Sequence, residues 1–130
     1  MGELATHIAN LPHWAEITIN QDSFDMAPSG SPPPRTEPVT DPAELLTRFT
    51  NNTTAARGAI QGADDAVLMA PWTLLKGGKT AMSMPRVAVL RSFVMNHLIH
   101  HRAQLAVYFR LAGVPVPAIY GPSGDEQPGM

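Results

Sequence analysis

The chain has 130 residues, no cysteine, and only 15% charged residues balanced to a formal net charge of −2. That length suits one domain with one core; the missing thiols exclude disulfides, thiolate metal sites and a cysteine nucleophile; and the lack of a basic block argues against DNA or RNA as a partner. Neither a basic-then-apolar leader nor an apolar run of about 18 residues occurs, so a cytoplasmic protein without membrane association is expected.

The first helical pattern spans about Gly2 to Asn20, with Leu4, Ile8, Leu11 and Ala15 recurring on one side. His7 falls near that apolar face, on an overlapping stripe with Leu11 and Trp14. Pro12 removes a backbone donor and crowds the preceding turn, so it should kink this helix or divide it in two. Residues 21–40 then collect Pro28, Pro32, Pro33, Pro34 and Pro38 beside Ser29, Gly30 and Ser31, and read as a proline-rich loop, an extended crossover rather than a lid.

A second helix begins at Asp41-Pro42-Ala43-Glu44, where Asp41 can cap, Pro42 fits the first helical position and Glu44 can close a capping box. It should run to about Gln61, with Leu45, Phe49, Ala56 and Ile60 facing inward. Asn51-Asn52-Thr53-Thr54 matches a glycosylation acceptor, but without a leader it reads as a polar helix face. Two short β-prone runs flank Gly77-Gly78 and predict a hairpin before the last helix. Gly78-Lys79-Thr80 is not a phosphate loop, since Thr73 stands where that motif needs glycine. The third helix should extend from about Pro85 to Ala112 and stop at Gly113-Val114-Pro115. Residues 113–130 carry Pro115, Pro117, Pro122 and Pro128 and read as an extended tail, pinned by Ile119 and Tyr120 and frayed from Ser123 onward.

The third helix carries the chemistry. His97 and His101 are four residues apart, which places both imidazoles on one face. Leu90, Val94, Leu105 and Tyr108 share that stripe, so both rings should point toward the core. Two inward histidines need two hydrogen-bonding partners or one shared ion. Spacing alone leaves both readings open. His100 lies around the helix from the pair and is expected to be a surface residue or an outer donor, while His13 reads as structural or exposed.

The stretch His97-Leu98-Ile99-His100-His101-Arg102-Ala103-Gln104-Leu105-Ala106-Val107-Tyr108-Phe109-Arg110-Leu111, followed by Val114-Pro115-Val116-Pro117-Ala118-Ile119-Tyr120-Gly121-Pro122-Ser123, resembles the DinB-like (DinB/YfiT) family of metal-binding helical bundles. Gly2-Glu3-Leu4-Ala5-Thr6-His7-Ile8-Ala9-Asn10-Leu11-Pro12 is similar to the family's segment that bears the first metal histidine, and Thr73-Leu74-Leu75 with the hairpin matches its layout. The resemblance implies an all-α fold, a four-helix bundle of up-down-down-up type, forming a single metal-binding domain over residues 1–130. Family members usually place a helix before the first histidine, whereas this chain begins close to it. Three long helices are therefore expected, with an apolar groove left for the proline-rich segments or a second copy.

The resemblance further implies a metal site of His7, His97 and His101, holding a divalent transition metal: zinc or nickel foremost, iron or manganese as alternatives. Three neutral nitrogen ligands leave coordination positions free, the arrangement of catalytic rather than closed structural sites. The expected function is a metal-dependent thiol S-transferase or hydrolase, with a homodimer, a low-molecular-weight thiol and an electrophilic small molecule as partners. The alternative is a non-catalytic, stress-associated metal-binding protein, in keeping with the damage inducibility behind the family's name. No catalytic side chain is assigned; Tyr108, Asp125 and Glu126 are candidates for a base, and Arg102 and Gln104 read as structural.

Overall fold

The computed structural model describes residues 1–28, 30–31 and 36–126. The proline run at 32–34 and the chain end at 127–130 lie outside the described residues. The elements follow in the order α1 (Gly2–Asn10), α2 (His13–Asn20), β1 (Ser23–Asp25), α3 (Pro42–Gly62), α4 (Asp65–Met69), β2 (Pro71–Lys76), β3 (Lys79–Pro85), α5 (Arg86–Val89), a π-helical stretch (Leu90–Asn96) and α6 (His97–Leu111).

Pro12 divides the first helical limb, as its missing donor requires: α1 ends at Asn10 and α2 starts at His13, while Leu11 and Pro12 keep right-handed helical angles, so the chain bends without breaking. Asp41 caps α3 by accepting from the Ala43 N–H at 2.9 Å, with Pro42 at the first turn. Glu44 is engaged with Arg48 one turn on, at 2.8 Å. Residues 86–111 form one uninterrupted helical limb, whose middle widens into π register. Its end is a Schellman stop: Gly113 takes φ +71°, and Val114 N–H returns to the Phe109 carbonyl.

The fold is not all-α. A three-stranded mixed sheet in the order β1-β2-β3 packs beside the helices, with β1 parallel and β3 antiparallel to the central β2. The hairpin is the part the sequence predicts: Gly77 and Gly78 both have positive φ, as a two-residue turn of primed type requires. The third strand arises inside the segment expected to be loop, and its cause is non-local. Asp25 accepts from the N–H groups of Gly77 at 3.0 Å, Gly78 at 2.7 Å and Ala27 at 2.9 Å. One carboxylate thus fastens β1 to the hairpin turn, and those donors hold its pKa below the usual value, chiefly through Ala27. Nor do the described residues form an up-down-down-up four-helix bundle. They supply three long helical limbs (the bent α1–α2 pair, α3 and the 86–111 limb) with α4 as a short fourth helix.

Two apolar clusters join these layers. Ala15, Ala56, Leu90 and Val94 fill the space between the helical limbs, while Ile17, Trp72 and Val89 seat the sheet on α2 and α5. Trp14 touches both clusters and meets Phe24 edge to face at 5.0 Å. Arg86 is 6% exposed and ties three elements together, donating to the carbonyls of Thr18, Gln21 and Pro71 and to the Asp22 carboxylate at 2.6 Å. α6 differs from the expected inward stripe: none of its residues is fully buried, and Tyr108 is 48% exposed. The reason is that α6 packs chiefly on α1 alone, which leaves most of its surface to solvent. None of the described helices is long and apolar enough to cross a membrane.

Candidate metal centre

The centre is assembled where α1 crosses the 86–111 limb. Two tethers set the position of α1: Thr6 Oγ1 accepts from the Val39 N–H at 2.8 Å, and Asn52 Nδ2 on α3 donates to the Ala9 carbonyl at 2.8 Å. His7 is thereby placed opposite His97 and His101. One ring nitrogen from each of the three lies within 4.8 Å of the other two. The ring centroids form a near-equilateral triangle, with 5.1 Å between His7 and His97 and 4.6 Å on each of the other two sides.

The outer nitrogens of two rings are held. His97 Nδ1 lies 3.3 Å from the Phe93 carbonyl, an obligate acceptor, so Nδ1 carries the proton and Nε2 presents its lone pair. That carbonyl is available because the His97 backbone N–H bonds to the Val94 carbonyl, three residues back, instead of to Phe93. His101 Nδ1 donates to Gln104 Oε1 at 2.7 Å, one helical turn on. Both arrangements direct Nε2 away from these partners. His7 Nε2 approaches His97 Nε2 to 3.4 Å, within reach of a shared proton or of one ion faced by both.

Burial and neighbouring charge favour the neutral form of His7 and His97. Burial lowers the His7 pKa, and charge on His101 and His97 lowers it further. The His97 pKa is lowered by burial and by His101, with the Phe93 carbonyl opposing and His100 adding a smaller lowering. Neutral imidazole is the form that ligates. Two nitrogens on one tetrahedral transition-metal ion sit about 3.3 Å apart when each bond is about 2.0–2.1 Å. The His7–His97 pair already has that separation, and an all-imidazole donor set fits zinc, nickel, iron or copper.

The other candidates are placed elsewhere. His13 pairs with Glu16 in solvent at 3.1 Å. His100 is exposed, its ring 4.9 Å from that of His101. Asp125 accepts from Arg110 and from the Val116 N–H, and Glu126 accepts from the Ala118 N–H, so both fold the tail back past the end of α6. The Arg102 guanidinium lies over Tyr120, 5.1 Å from the ring centroid. Gln104, read from sequence as structural, holds a histidine of the cluster; its i, i+3 spacing from His101 was the available signal. The π register had no such signal.

A cavity of about 310 Å³ adjoins the centre, and His7 and His97 form part of its wall. The rest of the lining is drawn from α2, the sheet and the 86–111 limb, including Trp14, Trp72, Met82 and Phe93.

An uncharacterised protein of Bacillus subtilis (strain 168), YrdA, is 46% identical over 43 residues, which cover 33% of this chain and 25% of that protein. The matched segment is thus a quarter of the relative's length. No solved structure matches the chain. The sequence model of the DinB family matches residues 2–130, and the chain belongs to that family.

Proposed function

We propose that His7, His97 and His101 hold a divalent transition metal, zinc or nickel foremost, and that the protein is a metal-dependent enzyme of thiol S-transferase or hydrolase type. The observation that carries this reading is the convergence of three imidazoles beside an apolar cavity, with two of their outer nitrogens already hydrogen-bonded. A bound ion of this kind supplies acidification of a coordinated thiol or water, generating a nucleophile near neutral pH. The protein's own part is positional. The Phe93 carbonyl and Gln104 fix the tautomers of His97 and His101, and Trp14, Trp72 and Val94 give the adjoining cavity an apolar wall. A low-molecular-weight thiol, an electrophilic small molecule and a homodimer formed through the exposed apolar side chains of α6 complete the proposal.

The second reading is a non-catalytic metal-binding protein. It draws on the cavity lining, which contains no carboxylate, lysine or tyrosine among the described residues, so general-base assistance would have to come from elsewhere. Elemental analysis of protein purified without a histidine tag tests the shared premise: about one equivalent of metal is expected, lost in His101→Ala. Turnover of a thiol with an electrophile by the loaded protein then separates the two readings.

A further inference from the structure

The cavity beside the histidines has a chemistry of its own. Trp14, Trp72 and Phe93 supply aromatic faces, Met82 on β3 and Leu74 on β2 supply pliable apolar wall, and no charged side chain lines it among the described residues. Thr18 donates its hydroxyl to the Trp14 carbonyl at 2.7 Å, the imidazoles of His7 and His97 stand at one end, and the Nε1–H of the lining residue Trp72 is buried without a partner. A volume of about 310 Å³ is roughly twice that of an apolar cavity known to take up benzene, enough for a substituted single ring. Phe93 is 45% exposed and marks where the cavity meets solvent.

We infer that this cavity binds the body of a small, uncharged aromatic molecule, held between Trp14, Trp72 and Met82 with one end presented to His7 and His97. This deepens the functional reading and rests on it only for which end of the molecule reacts. In the metal-free protein a carboxylate or an ammonium on the ring is excluded, because such a charge would enter a wall with nothing to pair it; with an ion on the histidines, a carboxylate at that end is paired.

The two tryptophans of the chain both line the cavity, so intrinsic fluorescence reports its occupancy directly. The probe is 4-nitrobenzyl alcohol, a quencher, compared with 4-nitrobenzoate and 4-nitrobenzylammonium on the same protein, with and without added zinc. Saturable quenching by the alcohol, with apparent affinity at least about tenfold above either charged analogue in the metal-free protein, is expected. Met82→Phe and Leu74→Phe, on adjacent strands, should each weaken the alcohol about tenfold by filling the cavity, at unchanged circular dichroism and metal content. Linear quenching, or equal quenching by all three probes, overturns the inference even where elemental analysis finds the metal. Saturable, charge-selective quenching in a protein that takes up no metal supports the cavity assignment and overturns the metal-enzyme reading instead. The wild-type comparison of probes decides the matter even where both variants fail to fold.

Discussion

His7 Nε2 and His97 Nε2 stand 3.4 Å apart across 90 residues of sequence, near enough to share a proton or to face one ion. That relationship is the nucleus of the site, and each ring contributes to it through a different element: His7 from α1, His97 from the junction between the π-helical stretch and α6.

Removing any one of the three rings should abolish stoichiometric metal. His7→Ala, His97→Ala and His101→Ala are each expected to retain less than about a tenth of the wild-type metal after dialysis, because two nitrogens alone cannot compete with the buffer. His13→Ala, whose ring pairs with Glu16 in solvent, should retain it all. Inductively coupled plasma analysis of the four variants checks this; equal loss in His13→Ala would mean that overall destabilisation, not ligation, is being read.

Gln104 holds His101 Nδ1 at 2.7 Å, so Gln104→Leu should leave the fold intact and lower metal affinity by about 10–100-fold, the usual effect of removing an orienting partner. Competition with a chromophoric chelator measures it. An affinity equal to wild type would show that packing alone orients His101.

Acid should destabilise the metal-free protein. Histidine in the unfolded chain titrates near 6.5, and the folded values of His7 and His97 lie below that, mainly through burial and then through neighbouring histidine charge. Above 6.5 both states are neutral and the stability is fully present. As the pH falls below it the unfolded chain binds protons first, and stability declines until the folded values are passed. Urea midpoints should therefore drop between pH 7.5 and 5, and the drop should shrink in a His7→Gln, His97→Gln double variant. A midpoint that rises on acidification contradicts this assignment of charge.

Arg86 anchors the fold by donating to the carbonyls of Thr18, Gln21 and Pro71 and pairing with Asp22. Asp22 remains solvated when the arginine is removed, since its side chain is 98% exposed, but the carbonyls lose a charged donor. Arg86→Met should cost about 3 kcal/mol in urea unfolding, reflecting buried acceptors left unpaired. A cost under about 1 kcal/mol would mean that water replaces the guanidinium at little loss.

Asp25 serves the hairpin rather than the histidines. Asp25→Ala removes the acceptor for Ala27, Gly77 and Gly78 and should lower stability, with faster amide exchange confined to β1 and the turn. Protection unchanged at Gly77 and Gly78 would refute the clasp.

What the sequence determined by itself is local. Pro12 dividing the first limb, Asp41-Pro42 opening α3, Gly77-Gly78 turning the hairpin and Gly113 closing α6 each follow from a residue's own backbone preferences or a short-range hydrogen bond. His97 and His101 share a face for the same reason. What only the tertiary structure decided is every relationship across distance in the chain. The pairing of β1 with β2 depends on Asp25 meeting amides more than 50 residues away, and so turned an expected all-α bundle into helices with a mixed sheet. The exposure of Tyr108 depends on which elements α6 meets, not on its own periodicity. The cavity exists because that sheet stands beside α2, and His7 joins the pair because Thr6 and Asn52 fix where α1 lies. Periodicity specifies which side of an element is apolar; the partner that side meets is set by packing energies summed over the whole chain.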